Sequence, residues 1–370
     1  MLTLCADVSV VSTLQKACSP DAGAPPCDDR RAARVPRFGR VSMSRLLLLT
    51  LASAFLTLAS AFKSPGSVPG PVLVVGATGK TGRLVCERLS RDGIETRALA
   101  RSPRGEAAQA LGELPGVSIV NGDILDESSL RRAMSGCSGV ISVAGTVRPV
   151  ALSDLLTLSV FSLAEKPDPR HPQRVNFQGT ANLLAAMKET GVRKIVRLTG
   201  LSCGFSAFNP FALLFGCLLL SMSTMWHSRA ENLLRSDTAI DYTILRPGGL
   251  RDTPRGEQTL TAASCTLPKL AGIGREDLAA LAVECMISGA ASRATVACGW
   301  AAPGEGSSDW GALLASIPAD AGLLPLKRYR LAVGVLLVGL LTAAWASVTA
   351  LIRAILFFWS RGGLLGVLGL

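Results

Sequence analysis

Hydrophobic positions along this chain follow two rhythms. Short apolar runs of four or five residues, closed by turn formers, alternate with longer stretches apolar at every third or fourth position. Val72–Val75 has the first pattern, and Arg83–Leu89, beyond a glycine-rich turn, has the second. Further strands are predicted at Glu95–Arg101, Val117–Val120, Gly139–Val143 and Lys194–Leu198, with another holding Tyr242. Helices are predicted at Glu127–Met134, capped by Asp126, and at Val175–Gly191, stopped by its glycine. Gly272–Gly299 reads as a final helix and strand. Strand and helix alternate in this way in an α/β fold with a doubly wound parallel sheet. Pro149–Pro172 breaks the pattern as a loop insertion, and Ala301–Pro325 reads as a linker punctuated by Gly, Pro and Ser.

Three stretches are apolar all round. Leu331–Leu351 carries no charge over 21 residues, enough to span a hydrocarbon core of ~30 Å. Lys327, Arg328 and Arg330 precede it and Arg353 follows, so the preceding domain belongs on the cytoplasm-like side, the stroma in a plastid. The competing reading is a buried helix. Leu46–Ala61, behind Met43-Ser44-Arg45 and ending in Ala59-Ser60-Ala61, has the form of a signal peptide over 43–61. Ala59-Ser60-Ala61-Phe62 also resembles the ASAF junction of algal secondary-plastid presequences, with 62–70 as the transit-like segment. That resemblance implies a plastid membrane; plain secretion to a secretory-pathway membrane is the alternative. Residues 1–42 read as an extension upstream of a start at Met43 or as a disordered segment, and 352–370 as an apolar tail. Phe211–Trp226 reads first as a helix beside a substrate cleft, with a membrane-dipping segment as the rival.

Composition sharpens this picture in a few places. Apolar residues make up 49% of the chain, and the mean hydropathy is +0.39, the excess lying near the two ends. The net charge of +11 includes no basic run interleaved with aromatics, so no nucleic-acid partner is expected. An anionic cofactor or lipid surface accounts for it more simply. Ten cysteines without a C-x-x-C pair, and only two histidines, argue against a metal site.

Candidate chemistry starts at the first turn, Gly76-Ala77-Thr78-Gly79-Lys80-Thr81-Gly82. Strand, glycine turn and helix in that order form a dinucleotide-binding entry. Gly76 permits the tight turn, Gly79 the approach of a diphosphate and Gly82 close helix packing, while the helix start offers free N–H groups. Strand two ends at Arg101 rather than an acid, which favours a 2′-phosphate and so NADP(H) over NAD(H). Small residues at Ala144-Gly145 let a cofactor pass. With GATGKTGR, the Gly122–Ile124 turn, VNFQGTANLLAAMKETGVRKIVRLT, AENLLRS, YTILRPGGL and GREDLAALAV, residues 71–300 resemble an atypical short-chain dehydrogenase/reductase of the NmrA-like, flavin-reductase-related group.

The resemblance implies a Rossmann-like domain, with Asp123 and Ile124 beside the adenine and Pro247 and Gly248 near the nicotinamide. It also implies a Tyr and a Lys four residues apart, where this chain has Ser223 and His227. Ser202 lies near the family's Ser/Thr position, as a catalytic hydroxyl or a strand cap. His227 is either an acid or ribose ligand, with an ordinary pKa of ~6.5, or a helical histidine with no chemical role. Glu231 reads as a partner of Arg229 or Arg235. Two functions stay open: a membrane-tethered NADP(H) reductase of a flavin, quinone or tetrapyrrole, or a non-catalytic NADP(H)-binding scaffold for a plastid membrane complex.

Overall fold

In the computed structural model, the residues described are 70–149, 162, 164, 166–210, 213, 221–267, 271–324 and 329–360. The presequence readings on 1–69, most of Phe211–Leu220 and the end of the tail, 361–370, lie outside them.

The strands are β1 (Val72–Val75), β2 (Thr96–Ala100), β3 (Val117–Asn121), β4 (Gly139–Ser142), β5 (Lys194–Leu198), β6 (Asp241–Pro247), β7 (Gly249–Arg251), β8 (Leu260–Ser264), β9 (Gly272–Gly274) and β10 (Ala294–Trp300). Eight of them form one sheet in the order β3-β2-β1-β4-β5-β6-β10-β8, while β7 and β9 pair separately. Every pairing in the large sheet is parallel except that of β8 with β10. The order reverses between β1 and β4, and a crevice opens at such a switch point beyond the carboxyl ends of the strands.

The helices are α1 (Lys80–Arg91), α2 (Glu106–Gly112), α3 (Glu127–Met134), α4 (Gly179–Thr190), α5 (Ser223–Ser236), α6 (Arg275–Ser288), α7 (Trp310–Ala315) and α8 (Tyr329–Ser360). A π-helical turn, Gln173–Gln178, leads into α4. Asp126 caps α3 by accepting hydrogen bonds from the Ser128 and Ser129 amides. Gly191 ends α4 at φ 77°, a left-handed conformation that a β-carbon would strain.

Two apolar layers sandwich the sheet. On one face Val85, Cys86 and Leu89 of α1 meet Leu278, Leu281 and Cys285 of α6; on the other, Leu130, Leu183, Met187 and Leu234 bring in α3, α4 and α5. Both faces of the central strands are therefore covered, which explains the unbroken apolar run of β1.

The predicted linker is not strung free. Over 301–324 the chain pairs Ser307 with Leu260, forms α7 and buries Leu314 completely. Its Gly and Pro residues mark turns on the domain surface. Beyond it, α8 runs for 32 residues, long and apolar enough to be a candidate membrane span. Only Tyr329, Ala332 and Val333 of α8 are buried.

Candidate functional site

A cavity of about 300 Å³ lies at the switch point. It is lined by Gly76, Thr78 and Gly79 after β1, Arg101 after β2, Asp123 and Ile124 after β3, and Gly145 after β4. Seven of the residues picked from the sequence thus meet in one place. The backbone fits a close-lying phosphate. Gly76 has φ +87°, and a β-carbon on it would lie 2.8 Å from the Ala144 nitrogen. One on Gly82 would lie 2.1 Å from the Gly76 carbonyl oxygen, so that glycine lets α1 start directly under the loop. No side chain caps the start of α1, which leaves its first N–H groups to a ligand.

The remaining candidates lie elsewhere. Lys80 projects from the other side of the loop and pairs with Asp252 at 3.1 Å. Thr81 and Gly82 support the loop without lining the cavity. Pro247 ends β6 and Gly248 follows it, both outside the cavity lining; a β-carbon on Gly248 would lie 2.0 Å from the Ala271 carbonyl oxygen, so packing already requires a glycine there.

Arg170 is a lining residue that the sequence did not disclose. It sits in the predicted insertion, where no periodicity marks it, its amide held by the Asp168 carboxylate at 2.8 Å. Asn176 was missed as well. Fully buried, it accepts from the Thr146 amide at 3.0 Å and donates to the Thr146 carbonyl and the Ser223 hydroxyl, both at 3.1 Å. It fixes the strand end that carries Gly145.

The match to a family model now decides the assignment: residues 76–288, more than half of the chain, fit the NAD(P)H-binding family. The chain belongs to that family. It is 28% identical over 224 residues to an uncharacterized chloroplastic protein of Arabidopsis thaliana, covering 58% of this chain and 71% of that one. It is 29% identical over 237 residues to sanguinarine reductase of Eschscholzia californica, covering 58% and 83%. Among solved structures, the oxidoreductase ylbE of Lactococcus lactis superposes with a TM-score of 0.49 at 18% identity, covering 66% and 95%.

Towards β5 and β6 this NAD(P)H-binding domain changes character. The His227 ring faces Gly145, with Cε1 3.7 Å and Nε2 3.9 Å from where a β-carbon would stand. Burial, reinforced by the Arg197 charge and only partly opposed by Glu231, lowers its pKa to about 3. His227 is therefore neutral near pH 7, not poised to exchange a proton as its ordinary value suggested. Arg197 itself, fully buried on β5, donates to the Ser142 hydroxyl at 2.8 Å and the Ala144 carbonyl at 2.5 Å. Burial pulls its pKa down to about 10, which leaves it charged.

Behind His227 lies a closed ionic network. Glu231 accepts from Arg246 at 3.0 and 2.5 Å, from Arg235 at 3.3 Å and from the Thr199 hydroxyl at 2.8 Å. Arg235 continues to Asp320 at 3.0 Å and the Thr295 hydroxyl at 2.6 Å. Burial alone would raise the Glu231 carboxyl, but Arg246 and Arg235 outweigh it and hold the group below its ordinary value. Of the two partners expected for Glu231, Arg235 is present, whereas Arg229 lies over the Trp226 ring. Ser202 shares a hydrogen bond with the Thr224 hydroxyl at 3.0 Å and does not line the cavity. The Tyr242 hydroxyl donates to Asp320 at 3.1 Å, and burial together with that carboxylate pushes its pKa up to about 12.

Proposed function

We propose that this chain is a membrane-tethered, NADP(H)-dependent reductase of a conjugated, electron-poor acceptor, held in a plastid membrane with its domain in the stroma. The observation that carries the reading is the cavity at the switch point, where the bare backbone of the glycine loop and the side chains of Arg101 and Arg170 line one space. A diphosphate suits the loop and helix start, and a 2′-phosphate suits Arg101. Plastid placement draws on the chloroplastic relative and on the Ala59–Phe62 junction; reductase chemistry draws on the relative named a reductase.

When bound, the dinucleotide supplies a hydride, two electrons with one proton, and the second proton of the reduction comes from solvent. Neutral His227 beside Gly145 can hold a ribose hydroxyl but cannot serve as an imidazolium acid at pH 7. Tyr242 does not stand in at that point, since its hydroxyl is turned to Asp320. Acceptors that become stabilised anions, such as flavins, quinones and tetrapyrroles, suit a site of this kind better than simple carbonyls.

A second reading is favoured by Ser202 and Glu231 being held by their neighbours. On it, the chain is a non-catalytic NADP(H)-binding scaffold for a membrane complex. Stoichiometric oxidation of NADPH by purified chain with flavin, quinone and tetrapyrrole acceptors separates the two. Turnover on any of them supports the reductase; tight binding without turnover supports the scaffold.

A further inference from the structure

The C-terminal segment returns along α5 in the reverse direction. Near the end of α5, Arg235 donates to Asp320; a turn earlier, Asn232 donates to the Leu324 carbonyl at 2.9 Å. At its start, Met222, Met225 and Trp226 form one apolar cluster with Tyr329, Ala332 and Val333, joined by Phe177, Leu336 and Leu337. That start is the cavity end of the domain. Ser223 donates to the Thr146 carbonyl at 3.3 Å, and His227 faces Gly145. The candidate membrane helix therefore leaves the domain beside the mouth of the cofactor cavity.

Helix length makes this consequential. The whole of α8 measures about 48 Å at 1.5 Å per residue, and its charge-free part, 331–351, about 31 Å, close to the ~30 Å hydrocarbon core. Its first two turns, holding Ala332, Val333, Leu336 and Leu337, are the ones that join the apolar cluster at the start of α5. Those turns cannot lie both in lipid and far from it, so they draw the cavity end of the domain to the membrane surface. Exposed side chains at this end agree: Val147, next to Thr146, is 61% exposed, and Phe208, next to buried Ala207 of the cluster, is 51% exposed. Arg229, stacked on Trp226 at 4.9 Å, lies within electrostatic reach of Arg330. Two cations at that height suit the anionic headgroup layer.

We propose that the cavity mouth opens at the bilayer surface, and that the acceptor is a lipid-dissolved, quinone-like compound entering sideways from the membrane. The placement rests on the packing of α8 together with the membrane-tethered reading above, and the acceptor on the reductase reading above. The full chain is reconstituted in vesicles with a donor dye attached through a click-reactive residue at Val147 or, in a second preparation, at exposed Glu95 ahead of β2. Energy transfer to dye-labelled lipid headgroups should be several-fold stronger from position 147. Equal or reversed transfer overturns the placement without reference to activity. A flexible glycine/serine stretch inserted after Leu324 should then slow NADPH oxidation by a long-chain quinone in the bilayer several-fold and spare a water-soluble short-chain quinone. Equal effects on both quinones overturn delivery from the membrane. Silence on both, with unequal transfer, refutes the reductase reading and its acceptor while the placement stands.

Discussion

At the β1–β2 end of the site, Arg101 and Arg170 stand exposed on an open cavity, whereas at the β5–β6 end Glu231, Arg235 and Arg246 are buried and bonded to one another. The first end presents backbone N–H groups and cations whose natural partner is an anion from outside. The second has closed its charges internally, joining α5, β6, β10 and the segment carrying Asp320. Charged residues with the same look in sequence therefore do opposite work. Those on the rim stand open to a ligand; those beneath hold the walls together.

Breaking the buried end should have the largest effect. Glu231→Ala strands two guanidinium groups in the interior, and removing one partner of a buried pair costs about 3–5 kcal/mol. Urea denaturation should show a loss of that size; a loss below about 1 kcal/mol would mean that the network is not what closes this wall. Because folding lowers the Glu231 pKa, its contribution is complete above the ordinary value of 4.5 and fades as pH falls through the folded value. Wild type should therefore lose stability more steeply on acidification than Glu231→Gln.

His227 lies on the boundary between the two ends, and its pKa of about 3 compares with an ordinary 6.5. Between those values the unfolded chain binds a proton that the folded chain refuses, so stability falls as pH drops below about 6.5. One such proton corresponds to about 1.4 kcal/mol per pH unit. Denaturation midpoints between pH 6.5 and 5 should show this slope in wild type and a shallower one in His227→Gln. Identical slopes would place His227 with the solvated cations of the open end.

At the open end, Arg101→Glu should weaken NADPH binding about tenfold or more, as loss of a charge-assisted contact does, and leave NADH nearly unchanged. Isothermal titration with both coenzymes reads this directly. Equal losses would show that Arg101 holds the shared diphosphate instead of the phosphate that tells the two apart.

Much of the first end was legible because local rules write it. A strand, three spaced glycines and a helix occupy one short stretch, and the same rules supply Asp126 as a cap and Gly191 as a stop. The second end is written in contacts between residues far apart in sequence. Arg246 and Glu231 lie 15 residues apart and Arg235 and Asp320 lie 85 apart, the latter in a stretch whose composition suggested a linker. Arg197 occupies a strand position that alternation marks only as facing one side, so nothing local signals a buried cation bonded to the end of β4. Neutralisation of His227 follows from burial, reinforced by that cation, neither of which a single sequence displays.

Lys80 offers the finest cut between the two ends, because the glycine motif assigns it to the cofactor while the fold turns it away. Its amine is paired with Asp252 across a separate groove, both side chains more than 60% exposed. A pair so solvated contributes little to stability, and salt screens what remains. Lys80→Ala should therefore leave both the denaturation midpoint and NADPH affinity within error of wild type, even at low ionic strength. A clear loss of affinity would mean that the lysine swings over the loop to meet the diphosphate on binding. The open end would then be a site that closes on its ligand, and the contrast with the pre-bonded network would lie in timing rather than in charge.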